Sequence, residues 1–142
     1  MSVIDDTNSP SATAPARRST SHKVGIGISA LVGAFLVFDA VGKLLRPEAV
    51  REGTAALGFP VDQALVMGIV LTVCLVAYLI PRTAALGALG ITAYLGGAVT
   101  ANMRVESPLF THTLSAVYVG VLLWIGLALR RPELWRVAGF KR

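Results

Sequence analysis

Charge is scarce where a water-soluble fold would need it: four apolar runs fill half of the 142-residue chain and hold between them only two formal charges, Asp39 and Lys43. Soluble helices show a charged stripe at period 3.6, and these runs are apolar on every face, so a soluble four-helix bundle ranks well below a membrane-embedded one. Cysteine is nearly absent as well. Cys74, inside the second run, is the only one, which excludes an intramolecular disulfide and a CxxC pair for thiol chemistry and leaves it as a small packing residue. The two histidines, His22 and His112, belong to opposite membrane faces, so one chain cannot form a bis-His haem site or a zinc cluster. No Gly-rich phosphate loop follows a strand, and no Ser-His-Asp set has supporting context. Nothing between the runs is large enough to fold as a soluble domain.

What is present is hydrocarbon of spanning length. The runs are Val24–Lys43, Ala64–Ile80, Ala84–Ala101 and Leu114–Leu129, the last completed by Phe110–Thr113, against the roughly 20 residues that cross a core about 30 Å thick. The expected fold is all-α, a four-helix transmembrane bundle running up-down-up-down, with a short interfacial helix in the first loop. The first run exceeds a signal-peptide h-region, and Phe38–Lys43 is a poor cleavage site, so it reads as a retained anchor. Three stretches follow: a disordered cytoplasmic tail over 1–22, poor in large apolar side chains, the helical domain over 23–131, and a basic cytoplasmic tail over 132–142.

Lysine and arginine set the orientation, because cationic segments beside spans stay cytoplasmic. Arg17, Arg18, Lys23, Arg82, Arg130, Arg131, Arg136, Lys141 and Arg142 fall on one side; Lys43, Arg46, Arg51 and Arg104 fall on the other, offset by Glu48, Glu52, Asp62 and Glu106. Both termini are therefore expected in the cytoplasm. The net charge of +5 reads as topology signal, with attraction to anionic headgroups secondary. Nucleic acid is not an expected partner, since the basic residues are not interleaved with stacking aromatics.

In the first loop Pro47 suits a first helical position, Val50, Thr54 and Leu57 share a face, and Gly58 suits a stop; Phe59-Pro60 then turns the chain back, with Phe59 at headgroup depth. Short connections favour antiparallel neighbours. Small residues recur every four positions in the first helix (Gly25, Ser29, Gly33) and the third (Ala84, Ala88, Thr92, Gly96, Thr100), which lets backbones approach. The third helix is expected at the centre of the bundle, and its stripe could equally serve a second copy.

Chain direction brings Asp39 and Lys43, Asn102 and Arg104, and His112 to one membrane level. Ionisable groups in a span are costly and usually face the bundle or a wet cavity, so an outward-opening polar pocket roofed by the first-loop helix is one reading. The plainer one stays open beside it: Asp39 and Lys43, four apart, neutralise a helix end, Arg104 is an interfacial anchor, and His112 caps the fourth helix or bonds Asn102. His112 remains the best proton carrier near neutral pH. Tyr94 lies mid-span and needs a partner, internal or ligand. Tyr78, Trp124 and Trp135 suit an interfacial aromatic belt.

The segments Phe38–Leu44, Leu57–Pro60, Leu79–Ala84, Thr92–Val99 and Leu122–Leu127 resemble, in order, the DoxX-like family of small bacterial membrane proteins. The resemblance implies four spans, an inner-membrane location and, for most members, no established activity. The family name comes from a membrane subunit associated with thiosulfate:quinone oxidoreduction, and some relatives are linked to redox stress. Lys43, Tyr94, Gly96, Gly97, Arg104 and Trp124 are the positions it carries over. Three functions compete: an accessory, non-catalytic subunit beside a redox partner, with quinone or lipid as the ligand it would hold and a protein partner or second copy beside it; a small multidrug-type transporter with Asp39 as coupling residue; and a quinone-reactive enzyme using His112 or Tyr94.

Overall fold

A computed structural model describes residues 19–137. Arg17, Arg18, Lys141 and Arg142, the tail over 1–18, the last five residues and the Trp135 side chain lie outside the described residues. Within them the chain is helical throughout, with no strand: α1 (Thr20–Leu45), α2 (Glu48–Ala56), α3 (Gln63–Leu79), α4 (Ala84–Arg104), a π-helical turn (Leu109–Thr113) leading into α5 (Leu114–Arg130), and a short α6 (Glu133–Val137).

Each boundary has a local cause. Arg46 closes α1 in the left-handed region, its N–H bonded to the Gly42 carbonyl, and Pro47 prevents continuation. Pro47 sits one residue before the helix, as the cap of α2, with Glu48 in the first turn where the helix dipole favours a carboxylate. Gly58, at φ +79°, ends α2 by turning the next N–H groups back: Gly58 donates to Ala55 and Phe59 to Thr54. Pro81 stops α3, and the Thr83 hydroxyl donates to the Ala77 carbonyl at 2.8 Å across the turn. Pro108 starts the π turn, where its carbonyl accepts from both His112 and Thr113.

Three helices, α1, α4 and the unit Leu109–Arg130, are long and apolar enough to cross a membrane; α3 is apolar but has 17 residues, roughly 25 Å of rise. Four spans were expected, and α3 is the one that falls short of a ~30 Å core. The outside of the helices is hydrocarbon: Phe38 is 80% exposed, Leu31 69% and Leu86 68%. In water such a surface drives association; in lipid it is solvated. The chain is a membrane protein.

Inside, Leu36, Leu71, Ile91, Leu123 and Leu127 fill the centre. Each large helix packs on two others: α1 on α3 and α5, α4 on α3 and α5. Since lipid is as apolar as leucine, close backbone approach does the work of association, and glycines permit it. A Cβ at Gly25 would lie 2.7 Å from Leu129 of α5, one at Gly126 2.6 Å from the Ser29 hydroxyl, and one at Gly87 only 2.1 Å from the Tyr78 backbone nitrogen. Gly25 and Ser29 of the stripe in α1 thus meet α5, while a Cβ at Gly33 meets nothing within 4 Å. The stripe in α4 divides: Ala84 and Ala88 are buried, but a Cβ at Gly96 or Gly97 meets nothing within 4 Å. The helix α4 is one member of a ring and not its centre, since it packs on α3 and α5 just as α1 does.

Candidate functional site

The end of α1 and the start of α3 come together at Gly68, whose Cβ position lies 3.0 Å from Lys43. Beside this junction a cavity of about 450 Å³ opens between α1, α4 and α5, and Asp39, Lys43, Tyr94, Asn102 and His112 all line it. Four of the five polar residues expected at one membrane level share this space, and mid-span Tyr94 joins them. Its depth is apolar, with Leu36, Leu95 and Val119 in the wall. A second chamber of about 560 Å³ shares Lys43, Phe59, Asn102 and His112 with the first and is walled by Val50, Gly53 and Thr54 of α2. A space of this size, mostly apolar with a few converging polar groups, is the usual form of a small-molecule site.

Helix periodicity explains the central pair. Asp39 and Lys43 stand one turn apart on α1, and the Lys43 ammonium donates to the Asp39 carboxylate; both side chains are partly buried. The ammonium also sits 5.9 Å from the centroid of the Tyr94 ring, within cation–π range. Lys43 is thus the charged neighbour of Tyr94. One lysine therefore ties α1 to α4 and places a neutral ion pair in the cavity wall.

His112 sits in the π turn, a helical irregularity that recurs at functional sites. It does not bond Asn102. Its Nδ1 pairs with the Thr111 hydroxyl at 2.9 Å, while Asn102 donates to the Ala98 carbonyl one turn back at 2.9 Å. His112 stands in the wall of both chambers. In the same turn the Thr113 hydroxyl is buried with no partner among the described residues.

Arg104 is the exception among the expected residues. It lines neither chamber; a Cβ at Gly58 would lie 2.7 Å from its guanidinium, so Arg104 lies against the turn between α2 and α3. Phe59, the next residue, lines both chambers. Helix ends are near each other for reasons of length, but where an exposed arginine reaches depends on the loop it meets.

A second polar group lies at the opposite ends of the helices and was missed in sequence. The Tyr78 hydroxyl donates to the Ser29 hydroxyl at 3.1 Å, both side chains buried, and the Arg130 guanidinium lies 5.3 Å from the Tyr78 ring centroid. The Arg130 Nε is buried without a partner among the described residues. Tyr78 is fully buried and so is no belt aromatic: α4 reaches it through Gly87 and closes it off from lipid. The placement of Ser29 near the start of the first apolar run and of Tyr78 near the end of the second was the available signal. Trp124 is half-buried and tied to α4, its indole N–H donating to the Thr92 hydroxyl at 2.9 Å.

Among known proteins, the family model that matches is that of the DoxX-like family, over residues 27–126. No curated protein and no solved structure gives a significant match to the chain.

Proposed function

The chain belongs to the DoxX-like family, and from that premise we propose that it is a non-catalytic, accessory inner-membrane subunit that holds an amphiphile in its polar-mouthed cavity, beside a redox partner. In this reading α1, α3, α4 and α5 cross the bilayer up-down-up-down with both termini in the cytoplasm, and α2 lies on the outer surface as a roof. The nine-to-four division of Lys and Arg in the sequence supports that orientation, and α3 crosses with help from flanking Val61 and Ile80. The ligand has an apolar body and a hydrogen-bonding head, a quinone or a lipid being the matching classes.

The observation that carries the reading is the convergence of Asp39, Lys43, Tyr94, Asn102 and His112 on one cavity with an apolar depth. The pairing of Asp39 with Lys43 weighs against the transporter alternative, since a coupling carboxylate must be free to take up and release a proton in the span. Purification of the full chain from native membranes in mild detergent tests the proposal by mass spectrometry. The expected result is a bound amphiphile and a co-purifying protein, with the amphiphile lost from an Ala98→Trp variant that fills the cavity. A chain that runs alone with nothing bound refutes the proposal. Proton-driven uptake or efflux in vesicles that disappears in Asp39→Asn would establish the transporter instead.

A further inference from the structure

The two chambers share Lys43, Phe59, Asn102 and His112, and the charges and hydrogen bonds of the side chains around them select the head of a ligand. Charge cancels first. Asp39 and Lys43 form an ion pair in the wall of the first chamber, and Lys43 is the one charged side chain among the described residues lining the second. An anionic or cationic head would add an unanswered charge to a site whose charges already match.

Donors and acceptors narrow the choice further. The Asn102 amide nitrogen donates to the Ala98 carbonyl at 2.9 Å, which fixes the orientation of the amide and leaves Oδ1 as an acceptor. Ser115 spends its one proton on the His112 carbonyl at 2.6 Å, so its oxygen can only accept from a ligand. Both residues line both chambers. The Lys43 ammonium and the Tyr94 hydroxyl supply donors to the first chamber, and His112, whose Nδ1 is paired with Thr111, offers Nε2 as donor or acceptor according to its tautomer. A head that only accepts, such as a quinone carbonyl or an ester, suits Lys43 and Tyr94 but leaves the Asn102 and Ser115 oxygens desolvated without a donor. An ammonium head does the reverse. A hydroxyl donates and accepts at once, and the second chamber adds Ser107 and Thr111 to the wall around it.

Resting on the reading of the first chamber as an amphiphile site, we propose that its ligand is an uncharged lipid with a polyol head, glycerol or sugar. The hydroxyls lie among Asn102, His112 and Ser115, where the two chambers meet. The hydrocarbon chain lies in the apolar depth of the first chamber, against Leu36, Leu95 and Val119.

Native mass spectrometry of the full chain in lauryldimethylamine oxide, a detergent without hydroxyl groups, tests the assignment with probes that share one eighteen-carbon chain: monoolein, oleyl glucoside, methyl oleate, oleate and oleylamine. At roughly three- to tenfold per hydrogen bond, a polyol probe bonded to both Asn102 and Ser115 binds roughly ten- to a hundredfold more tightly than methyl oleate. The tighter of the two polyol probes identifies the head as glycerol or sugar. Asn102→Leu and Ser115→Ala each lower that preference by roughly three- to tenfold, and circular dichroism checks that each variant keeps its helix content. Methyl oleate, oleate or oleylamine binding as tightly as the polyol probes, or a preference that both variants leave intact, overturns the assignment; where Ala98→Trp still abolishes binding, the amphiphile site itself stands. Binding of no probe, or binding that survives Ala98→Trp, removes the site and the assignment with it.

Discussion

Replacing Gly87 by alanine tests how the α3–α4 pair is held. The new Cβ would stand 2.1 Å from the Tyr78 nitrogen and 2.5 Å from its Cα, where ordinary contact begins at 3.4 Å. Both obstacles are backbone, so no side chain can rotate away. The helices must separate by about 1.3 Å, the difference between 3.4 and 2.1 Å, and the contacts of Tyr78 with Ser29 and Arg130 loosen with them. Overpacking of this kind costs about 1–3 kcal/mol, the upper end applying to backbone, while alanine regains about 0.8–1 kcal/mol of helix propensity. The net loss is about 2 kcal/mol, a fall of roughly 4–8 °C in thermal midpoint. Gly96→Ala is the control on the same helix, since its Cβ meets nothing within 4 Å and the propensity gain stands alone. Thermal unfolding of both variants in one detergent decides the matter. A Gly87→Ala protein that melts at or above Gly96→Ala would refute the packing described here.

Two further outcomes follow from the cavity end. Lys43→Ala strands the partly buried Asp39 carboxylate and is expected to cost about 1–2 kcal/mol, between the values for exposed and buried pairs. Asp39→Ala in the same chain should recover most of it, and a double-mutant cycle by thermal unfolding with coupling near zero would contradict the pair. Gly58→Ala forces a left-handed residue, at about 1–2 kcal/mol, and displaces Arg104 besides; in an Arg104→Ala background the steric part vanishes, so the two losses should be less than additive. Strict additivity would show that Arg104 does not lie against the turn.

Much of the helical framework was legible because hydropathy and helix-stop chemistry are local. The runs ending near Lys43, Ile80, Ala101 and Leu129 became helices ending at Leu45, Leu79, Arg104 and Arg130, and Pro47 and Gly58 bracket α2 as expected. Polarity inside an apolar run also carried information, since Asp39, Lys43, Tyr94, Asn102 and His112 share a cavity. Depth was misleading for Arg104, whose long side chain goes where the α2–α3 turn receives it. Tyr78 was misread because a tyrosine near a helix end suits a lipid interface equally well, and only the approach of Gly87 buries it.

The sequence by itself determined the solvent, the lengths and limits of the helices, and which few polar groups had to be reckoned with inside them, because these depend on composition and on neighbours one turn away. The tertiary structure decided the rotation of each helix about its own axis, and with it which small residues became contacts. Gly25, Gly87 and Gly126 became close contacts between helices, while Gly96 and Gly97 were left open. That choice rests on the fit of one helix surface against another across long sequence separations, which no hydropathy pattern encodes. It placed Lys43 over Tyr94, folded Arg130 onto Tyr78, and left an apolar groove between α4 and α5.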